Sequence, residues 1–260
     1  ELGRQKFTEE PKVMACIIIS DRKRYSQMHG VVAAAKLNGV SRVLVNIETA
    51  MPRKEFENEY RSLLHFISNS QMAFDLDVWN MQSSWWERQP LNDQNQEYRL
   101  KRIVTARNMC REYFMSTNNK EFTHLYFVDS DTTPDVDAVT KLLSLHRPVA
   151  GGVCYGRGQQ AHVKLVFDPE EPIDLASGEQ AQACRVFSAG SFCVERQVLE
   201  LQSFRWGRSE INGELLSEDP AYLEDSRLSG FGKSFVHLGV FSEHHDNPDK
   251  PLLATDRAEF

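Results

Sequence analysis

Residues 13–47, VMACIIISDRKRYSQMHGVVAAAKLNGVSRVLVNI, contain the pattern that decides the fold class. Two short apolar runs, 13–19 and 42–47, are rich in β-branched residues, which is typical of strands that are covered on both faces. Residues 31–37 between them have a helical pattern, which an Asn-Gly pair ends. The order strand, helix, strand predicts a parallel sheet with helices packed on its faces.

The same alternation continues along the chain. We expect helices at 55–67, 98–115, 134–145, 196–201 and 220–229, and strands at 73–79, 124–128, 149–155, 162–167, 185–194 and 233–241. The sequence has no internal repeat and no long linker. It therefore predicts an α/β fold, a single-domain α/β/α sandwich with a mostly parallel central sheet at 13–245, between a polar extension at 1–12 and a polar tail at 246–260.

Composition and charge limit the classes of partner. Of the 260 residues 41% are hydrophobic and 26% are charged, so the chain can bury a sizeable core. The 30 basic and 37 acidic residues give a net charge of −7, so nucleic acid and anionic lipid are not the default partners. Five cysteines without a C-x-x-C spacing favour reduced thiols and a cytoplasmic location. No apolar run approaches the roughly 18 residues of a membrane span.

Two carboxylates follow the predicted strand at 124–128. Asp129 and Asp131 are two residues apart, so in an extended backbone both point to the same side. Ligands of open α/β sheets bind beyond the carboxyl ends of the strands, and a divalent cation held there by two aspartates can bridge a diphosphate. The alternative is that one aspartate caps the next helix and the other lies in an Asx turn. Thr133 followed by Pro134 offers that helix a separate cap, which favours the metal site.

Further candidates lie near the end of the chain. Glu218 and Asp219 begin a predicted helix, where they either cap it or, beside a metal pair, provide an ionised carboxylate that serves as general base. His244 and His245 follow the last strand, and a histidine there can complete a site of two carboxylates and one imidazole, which favours Mn²⁺ over Ca²⁺. We prefer His244 narrowly, and we expect His237, inside the apolar strand, to be a core residue.

A helix and a pair of glycines carry weaker signals. Arg107 and Asn108, in the segment TARN, can contact a phosphate or a ribose, or they can make a surface salt bridge. Gly151 and Gly152 allow the backbone to approach a ligand closely, or they form a turn. The sequence has no G-x-x-x-x-G-K-[ST], no G-x-G-x-x-G after the first strand and no G-x-S-x-G, so P-loop NTPases, dinucleotide oxidoreductases and α/β-hydrolases lose their main support.

Taken together, these segments resemble GT-A fold glycosyltransferases. HLYFVDSDTTPDVDAVTKLL (124–143) is similar to their DXD segment, and SEDPAYLEDSRLSG (217–230) is similar to their S-E-D-x-x-[FY] acceptor-side helix. VFSAGSFCVERQVLE (186–200) resembles the glycine-containing strand and helix between them. The order of motifs covers about 13–245, and it is also similar to the mannosyltransferase-like branch of the fold and to small enzymes of bacteria and phages.

The resemblance implies a metal-dependent hexosyltransferase that uses a nucleoside-diphosphate sugar. It implies that Asp129, Asp131 and His244 hold Mn²⁺ or Mg²⁺ on the diphosphate. Asp219, or less favourably Glu218, is then the base of an inverting displacement by an acceptor hydroxyl of a glycan, a lipid-linked glycan, a protein or a modified base. The donor-contacting residues implied are Arg107, Asn108, Asp129, Ser130 and Gly190.

Two departures and two alternatives accompany this interpretation. Asp225-Ser226 stands where many relatives carry Arg-Ala, and Ser188-Ala189-Gly190 replaces a Gly-Thr-Gly-like strand. A sugar nucleotidyltransferase has a similar sheet and metal pair, but it should carry a glycine-rich basic loop after the first strand, and residues 20–24 are basic without glycines. A non-catalytic glycan-binding module would use Trp85, Trp86 and Trp206 as a stacking surface.

Overall fold

A ten-stranded mixed sheet forms the centre of the fold. The structure, a computed structural model, describes residues 10–20, 33–34, 37–48, 75–81, 96–154, 165–167, 181–187 and 190–244. The predicted helix at 55–67 and most of the predicted helix at 31–37 lie outside these ranges, as do Trp85, Trp86 and His245.

The elements follow the predicted alternation for much of the described chain. The strands are β1 (Val13–Ser20), β2 (Val40–Glu48), β3 (Asp75–Met81), β4 (His124–Asp129), β5 (Thr132–Pro134), β6 (Val149–Cys154), β7 (Leu165–Phe167), β8 (Ala181–Phe187), β9 (Ser191–Glu195), β10 (Gly207–Arg208), β11 (Leu215–Leu216) and β12 (Ser234–His244). The helices are α1 (Gln96–Met115), α2 (Ala138–Ser144), α3 (Arg196–Leu201) and α4 (Glu218–Ser226), which continues into a π-helical segment, Arg227–Phe231.

The main sheet has the order β3-β2-β1-β4-β9-β6-β12-β8-β7, and β5 pairs with β12 outside this path. β3, β2, β1 and β4 are mutually parallel, and so are β6 and β12. β9, β8 and β5 run antiparallel to their neighbours. The predicted fold class, α/β with a mostly parallel central sheet, is confirmed.

Alternate residues of the strands pack on opposite faces of the sheet. In β1, Val13, Ala15 and Ile17 belong to the hydrophobic core between the sheet and α2. Met14 and Cys16 belong to the core on the opposite face, which contains residues of α1, α3 and α4. This is the burial expected of a strand with helices on both sides. Four cysteines are buried free thiols, namely Cys16, Cys110, Cys184 and Cys193. None of the helices in the described part of the chain has the length and apolarity that crossing a membrane requires.

The predicted start of the helix at 134–145 is wrong. The helix begins at Ala138 with Asp137 at its N-cap position, and Thr133 lies in β5. β5 pairs antiparallel with β12, and the pairing continues at Asp135, whose N–H donates to Phe241 O (3.0 Å) and whose Oδ2 accepts from Phe241 N–H (3.0 Å). The contact with β12 therefore overrides the local helix signals of Thr133 and Pro134.

The predicted single strand at 185–194 is also wrong. The structure has two strands, β8 beside β12 and β9 between β4 and β6, with Gly190 in the connection. The apolar residues on either side of Gly190 give no periodic signal that separates two short buried strands from one longer strand.

The interpretation of Gly151 and Gly152 as a turn or a ligand cradle is wrong. Both lie inside β6. A Cβ on Gly151 would lie 2.5 Å from the Phe187 ring, and a Cβ on Gly152 would lie 2.6 Å from Cγ1 of Val240. Val240 belongs to the irregular part of β12, where the register with β6 shifts. The two glycines make room for neighbouring side chains of the core.

Candidate active site

The edge of the sheet between β1 and β4 is where this topology places a ligand site. From β1 the described strands proceed to β2 and β3 on one side, and β4 lies on the other side. β1 and β4 are parallel, with Ile18 beside Asp129, so their carboxyl ends meet at this edge. In open α/β sheets, ligands bind beyond the carboxyl ends of the strands where the strand order reverses. The turn formed by residues 129–131 lies at this point.

Gly190 fixes the backbone of this turn. Its carbonyl accepts a hydrogen bond from Asp129 N–H at 3.2 Å. Thr132 Oγ1 donates to Asp129 O at 2.7 Å, and it also lies 3.4 Å from Gly190 O. Two of the predicted donor-contacting segments, the acidic turn and the glycine before β9, are therefore in direct contact.

The residues of the turn differ in their exposure. The side chain of Asp129 is 40% exposed, whereas Asp131 and Ser130 are buried. A ligand that approaches from solvent therefore meets the Asp129 carboxylate, with Asp131 beneath the surface. Carboxylate oxygens are ligands that Mn²⁺ and Mg²⁺ accept, so the chemistry of this pair fits the predicted cation.

The guanidinium of Arg107 lies between the acidic turn and α4. Its Nη2 is 3.5 Å from Asp129 Oδ1 and 3.7 Å from Asp219 Oδ1. The side chain of Arg107 is only 5% exposed, and the guanidinium carbon lies 5.4, 5.7 and 5.8 Å from the ring centres of Phe127, Phe192 and Phe204. The alternative of a surface salt bridge is wrong, because this arginine is buried.

Burial and the neighbouring charges act in opposite directions on the pKa of Arg107. Burial by itself lowers the pKa of the guanidinium, but the carboxylates of Asp219, Asp129 and Glu218 outweigh burial and raise the pKa above its usual value. Arg107 is therefore a fixed positive charge beneath a cluster of carboxylates.

Asp219 reaches the site from the first turn of α4. Ser217 occupies the N-cap position without a side-chain capping bond, and Glu218 and Asp219 are the acidic residues of the first turn. The helix dipole stabilises a negative charge at this end. The Asp219 side chain is 21% exposed, and Glu218 is buried. Of the two carboxylates, that of Asp219 is the more exposed to solvent.

Asn108 serves the backbone of a neighbouring loop. Its Nδ2 donates to Phe204 O at 2.9 Å, and its Oδ1 accepts from Phe204 N–H at 2.8 Å. This pair of bonds joins α1 to the segment after α3. A contact between Asn108 and a nucleotide stays a prediction, and the structure gives its amide a structural role.

The backbone of His244 lies beside the acidic turn. His244 pairs with Thr132 in the β5–β12 ladder, so its Cα lies within about 10 Å of that of Asp131. Side-chain clusters of three or more His, Cys, Asp or Glu residues with metal-binding geometry are absent from the described ranges. His237 is buried, and its Nδ1 accepts from Gly239 N–H at 3.0 Å, so its assignment to the core is confirmed. A third ligand from His244 stays a prediction.

An aromatic layer that no sequence motif indicates lies below the carboxylates. Phe127 stacks on Phe192 with ring centres 4.9 Å apart, and Phe204 stacks on Tyr222 at 4.2 Å. A small cavity borders Asp219 and is otherwise lined by aromatic and aliphatic side chains, namely Phe187, Phe192, Phe204, Tyr222 and Leu223. These residues come from β8, β9, the segment after α3 and α4, so no local pattern connects them.

The departure at Asp225 has a structural explanation. Its two carboxylate oxygens accept from Arg205 Nε at 2.7 Å and from Arg205 Nη2 at 2.6 Å. The adjacent Glu224 accepts from Ser209 Oγ at 2.6 Å and from Glu210 N–H at 2.8 Å. α4 therefore holds the loop of the β10–β11 hairpin through Glu224 and the segment before β10 through Asp225.

Comparison with solved structures extends this description. No protein-family profile matches the chain, and no curated protein sequence matches it. A mannosyltransferase from Pyrobaculum calidifontis, in complex with GDP-Man and Mn²⁺, is similar with a TM-score of 0.52 and 13% identity over 90% of this chain and 57% of that chain. The chain has a GT-A-like fold.

Two further structures are similar at slightly lower scores. TarS from S. aureus in complex with UDP-GlcNAc has a TM-score of 0.49 and 14% identity, over 88% of this chain and 58% of that chain. The inositol-1-phosphate CTP transferase from T. maritima has a TM-score of 0.48 and 13% identity, over 95% of this chain and 94% of that chain. The chain spans little more than half the length of the mannosyltransferase and TarS structures.

Proposed function

We propose that the chain transfers a sugar from a nucleoside-diphosphate sugar to an acceptor hydroxyl in a reaction that needs Mn²⁺ or Mg²⁺. The observation that carries the proposal is the acidic turn at the carboxyl ends of β1 and β4, with Asp219 facing it across one guanidinium. The fold resembles that of a mannosyltransferase whose complex holds GDP-Man and Mn²⁺.

In this proposal the donor side is formed by the acidic turn. Asp129 and Asp131 would hold the cation, with His244 as a third ligand, and Ser130 and Gly190 would border the diphosphate. When bound, such a cation neutralises the charge that develops on the departing diphosphate. The exposed Asp129 side chain makes the first contact from solvent, and the hydrogen bonds to Gly190 hold the turn in place.

The acceptor side is formed by α4. The Asp219 carboxylate accepts the proton of the incoming hydroxyl while the hydroxyl oxygen bonds to the anomeric carbon and the bond from that carbon to the diphosphate oxygen breaks. The displacement inverts the anomeric configuration. Glu218 is the less favoured base because it is buried. Glycans, lipid-linked glycans, proteins and modified bases can all carry the hydroxyl group that this reaction requires.

A donor screen with one variant tests the proposal. We expect a nucleoside diphosphate to be released from at least one of a panel of UDP- and GDP-sugars in the presence of Mn²⁺, and we expect excess EDTA to stop the release. Asp131→Ala should abolish the release and leave the circular dichroism spectrum unchanged, because it removes one predicted ligand of the cation.

Asp137→Ala is the matched control, because Asp137 is an acidic residue at the N-cap position of α2 that pairs with Lys141 at 3.0 Å and is not a predicted ligand of the cation. It should keep wild-type activity. Release that persists in EDTA, or an Asp131→Ala variant with full activity, would contradict the proposal. Pyrophosphate release from a nucleoside triphosphate and a sugar phosphate would identify a nucleotidyltransferase instead.

A further inference from the structure

Arg107 touches two carboxylates that come from different parts of the fold. Asp129 ends β4 on the donor side, and Asp219 begins α4 on the acceptor side. Because Oδ1 of each lies within 3.7 Å of the same Nη2 atom, the two oxygens can be no more than about 7 Å apart. Two carboxylates this close repel one another unless a positive charge lies between them.

The distances indicate that the guanidinium is shared between the two carboxylates. Charge-assisted N–H···O bonds are usually about 2.7–2.9 Å long, and both contacts of Arg107 are longer. Arg107 Nε is buried and has no hydrogen-bond partner within the described ranges. The aromatic rings below the guanidinium and the two carboxylates beside it therefore define its position.

The helix that carries Arg107 is held on both sides of this residue. Asn46 of β2 donates from Nδ2 to Ala106 O at 3.2 Å, and Asn108 makes its two bonds to the backbone of Phe204. Residues 106 and 108 are thus attached to β2 of the sheet and to the segment after α3. Phe204 of that segment stacks on Tyr222 of α4 with ring centres 4.2 Å apart, so the backbone of Arg107 is tied to the sheet that contains β4 and, through Phe204, to α4.

We propose that Arg107 is a positioning residue that sets the distance and orientation of the Asp219 carboxylate relative to Asp129. The proposal rests on the proposed transferase function, and it differs from the prediction that Arg107 contacts the phosphate or the ribose of the donor. A side chain that is 5% exposed and lies on three aromatic rings has little surface to offer a nucleotide.

The proposal predicts that replacing Arg107 lowers turnover but leaves the binding of the nucleotide nearly unchanged. In Arg107→Met the neighbouring carboxylates lose their counter-charge, so Asp219 turns away from the acceptor. A displacement of about 1 Å at a reacting group can lower the rate by roughly 100-fold. We therefore expect kcat to fall about 100-fold, while the Kd of GDP or UDP in the presence of Mn²⁺ changes less than about threefold. Arg107→Lys keeps the charge without the planar fork, and it should restore part of kcat.

Arg196→Met is the matched control. Like Arg107, Arg196 lies over an aromatic ring, with its guanidinium carbon 4.3 Å from the ring centre of Phe114, but it is only half-buried. Its guanidinium donates to Phe122 O, Phe114 O and Asn119 O. It lies outside the candidate site. Arg196→Met should lower the Tm and leave kcat per folded molecule unchanged.

Three results distinguish the possibilities. If Arg107→Met weakens nucleotide binding tenfold or more with kcat intact, Arg107 contacts the donor and the positioning role is wrong. If Arg107→Met changes neither kcat nor the Kd of the nucleotide, the positioning role is wrong as well. If the wild type neither binds GDP or UDP with Mn²⁺ nor releases a nucleoside diphosphate, the transferase function fails, independently of how Arg107 acts.

A double-mutant cycle tests the contact between Arg107 and Asp219 through stability alone, with no measurement of enzymatic activity. The decrease in the urea midpoint of Arg107→Lys combined with Asp219→Asn should be smaller than the sum of the two single decreases, because both changes disturb the same contact. Arg107→Lys is used here because it keeps the charge that the buried site requires. Additive decreases would show that the two side chains do not interact, and they would overturn the proposal.

Discussion

At the scale of single residues, burial decides which titratable groups change their behaviour. His124, at the start of β4, is 2% exposed, and its Nδ1 lies 2.8 Å from Thr123 Oγ1. Burial lowers the pKa of His124 to about 4, because the charged imidazolium loses its hydration. Glu195 lies opposite it in β9, and burial raises the pKa of this carboxyl, although the hydrogen bond from Gln197 lowers it.

His124 should make the stability of the protein depend on pH. Its pKa is about 4 in the folded state and about 6.5 in the unfolded state, so between these values the unfolded state binds more protons. The free energy of unfolding should therefore fall as the pH decreases from about 6.5 to about 4, by on the order of 3 kcal/mol. Urea unfolding at pH 7 and at pH 4.5 measures this change.

The variant His124→Gln isolates this contribution. Glu195 acts in the opposite direction, because a carboxyl with a raised pKa in the folded state stabilises that state as the pH falls. Both proteins contain Glu195, so the wild type should lose more stability than His124→Gln over this pH range. Equal losses would show that His124 is not the neutral buried group described here.

At the scale of secondary-structure elements, close packing between strands explains features that a local pattern does not. β6 contains two adjacent glycines because Phe187 of β8 and Val240 of β12 occupy the space that a Cβ would need. β5 exists because β12 extends to His244 and pairs with it. In both cases the determining neighbour lies more than thirty residues away in the sequence.

Gly151→Ala should destabilise the protein. Its methyl group would lie 2.5 Å from the ring of Phe187, which is buried, so the ring or the strand must move. Overpacking of this kind usually costs about 1–3 kcal/mol of unfolding free energy, which urea denaturation measures. Gly151→Ala should cost less unfolding free energy when it is introduced into Phe187→Leu than when it is introduced into the wild type, because the smaller side chain leaves room for the methyl group. If the alanine costs the same with either residue at 187, the contact with Phe187 is not the cause.

At the scale of the whole molecule, the topology brings separate segments to one edge of the sheet. Asp129, Gly190, Asp219 and the backbone of His244 come from four elements or connections, and Arg107 comes from a fifth. Their common location follows from the position of β4 beside β1, where the strand order reverses. This arrangement is the basis of the proposed function.

Much of this arrangement could be predicted from the sequence, and the reasons for the exceptions are physical. The buried parallel strands and the acidic turn have strong local signals, namely continuous β-branched runs and two carboxylates at a strand end. The start of α2, the separation of β8 from β9 and the roles of the glycines depend on long-range contacts. The sequence predicts Arg107 as a site residue, but its position between two carboxylates depends on the packing of α1 against α4, which no local pattern encodes.

The most direct test of the central claim is anomalous diffraction at the manganese edge from crystals grown with Mn²⁺ and GDP or UDP. We expect one anomalous peak bridging the carboxylates of Asp129 and Asp131, with the nucleotide diphosphate on its solvent side. Nucleotide bound elsewhere, or a manganese peak that contacts neither aspartate, would contradict the account.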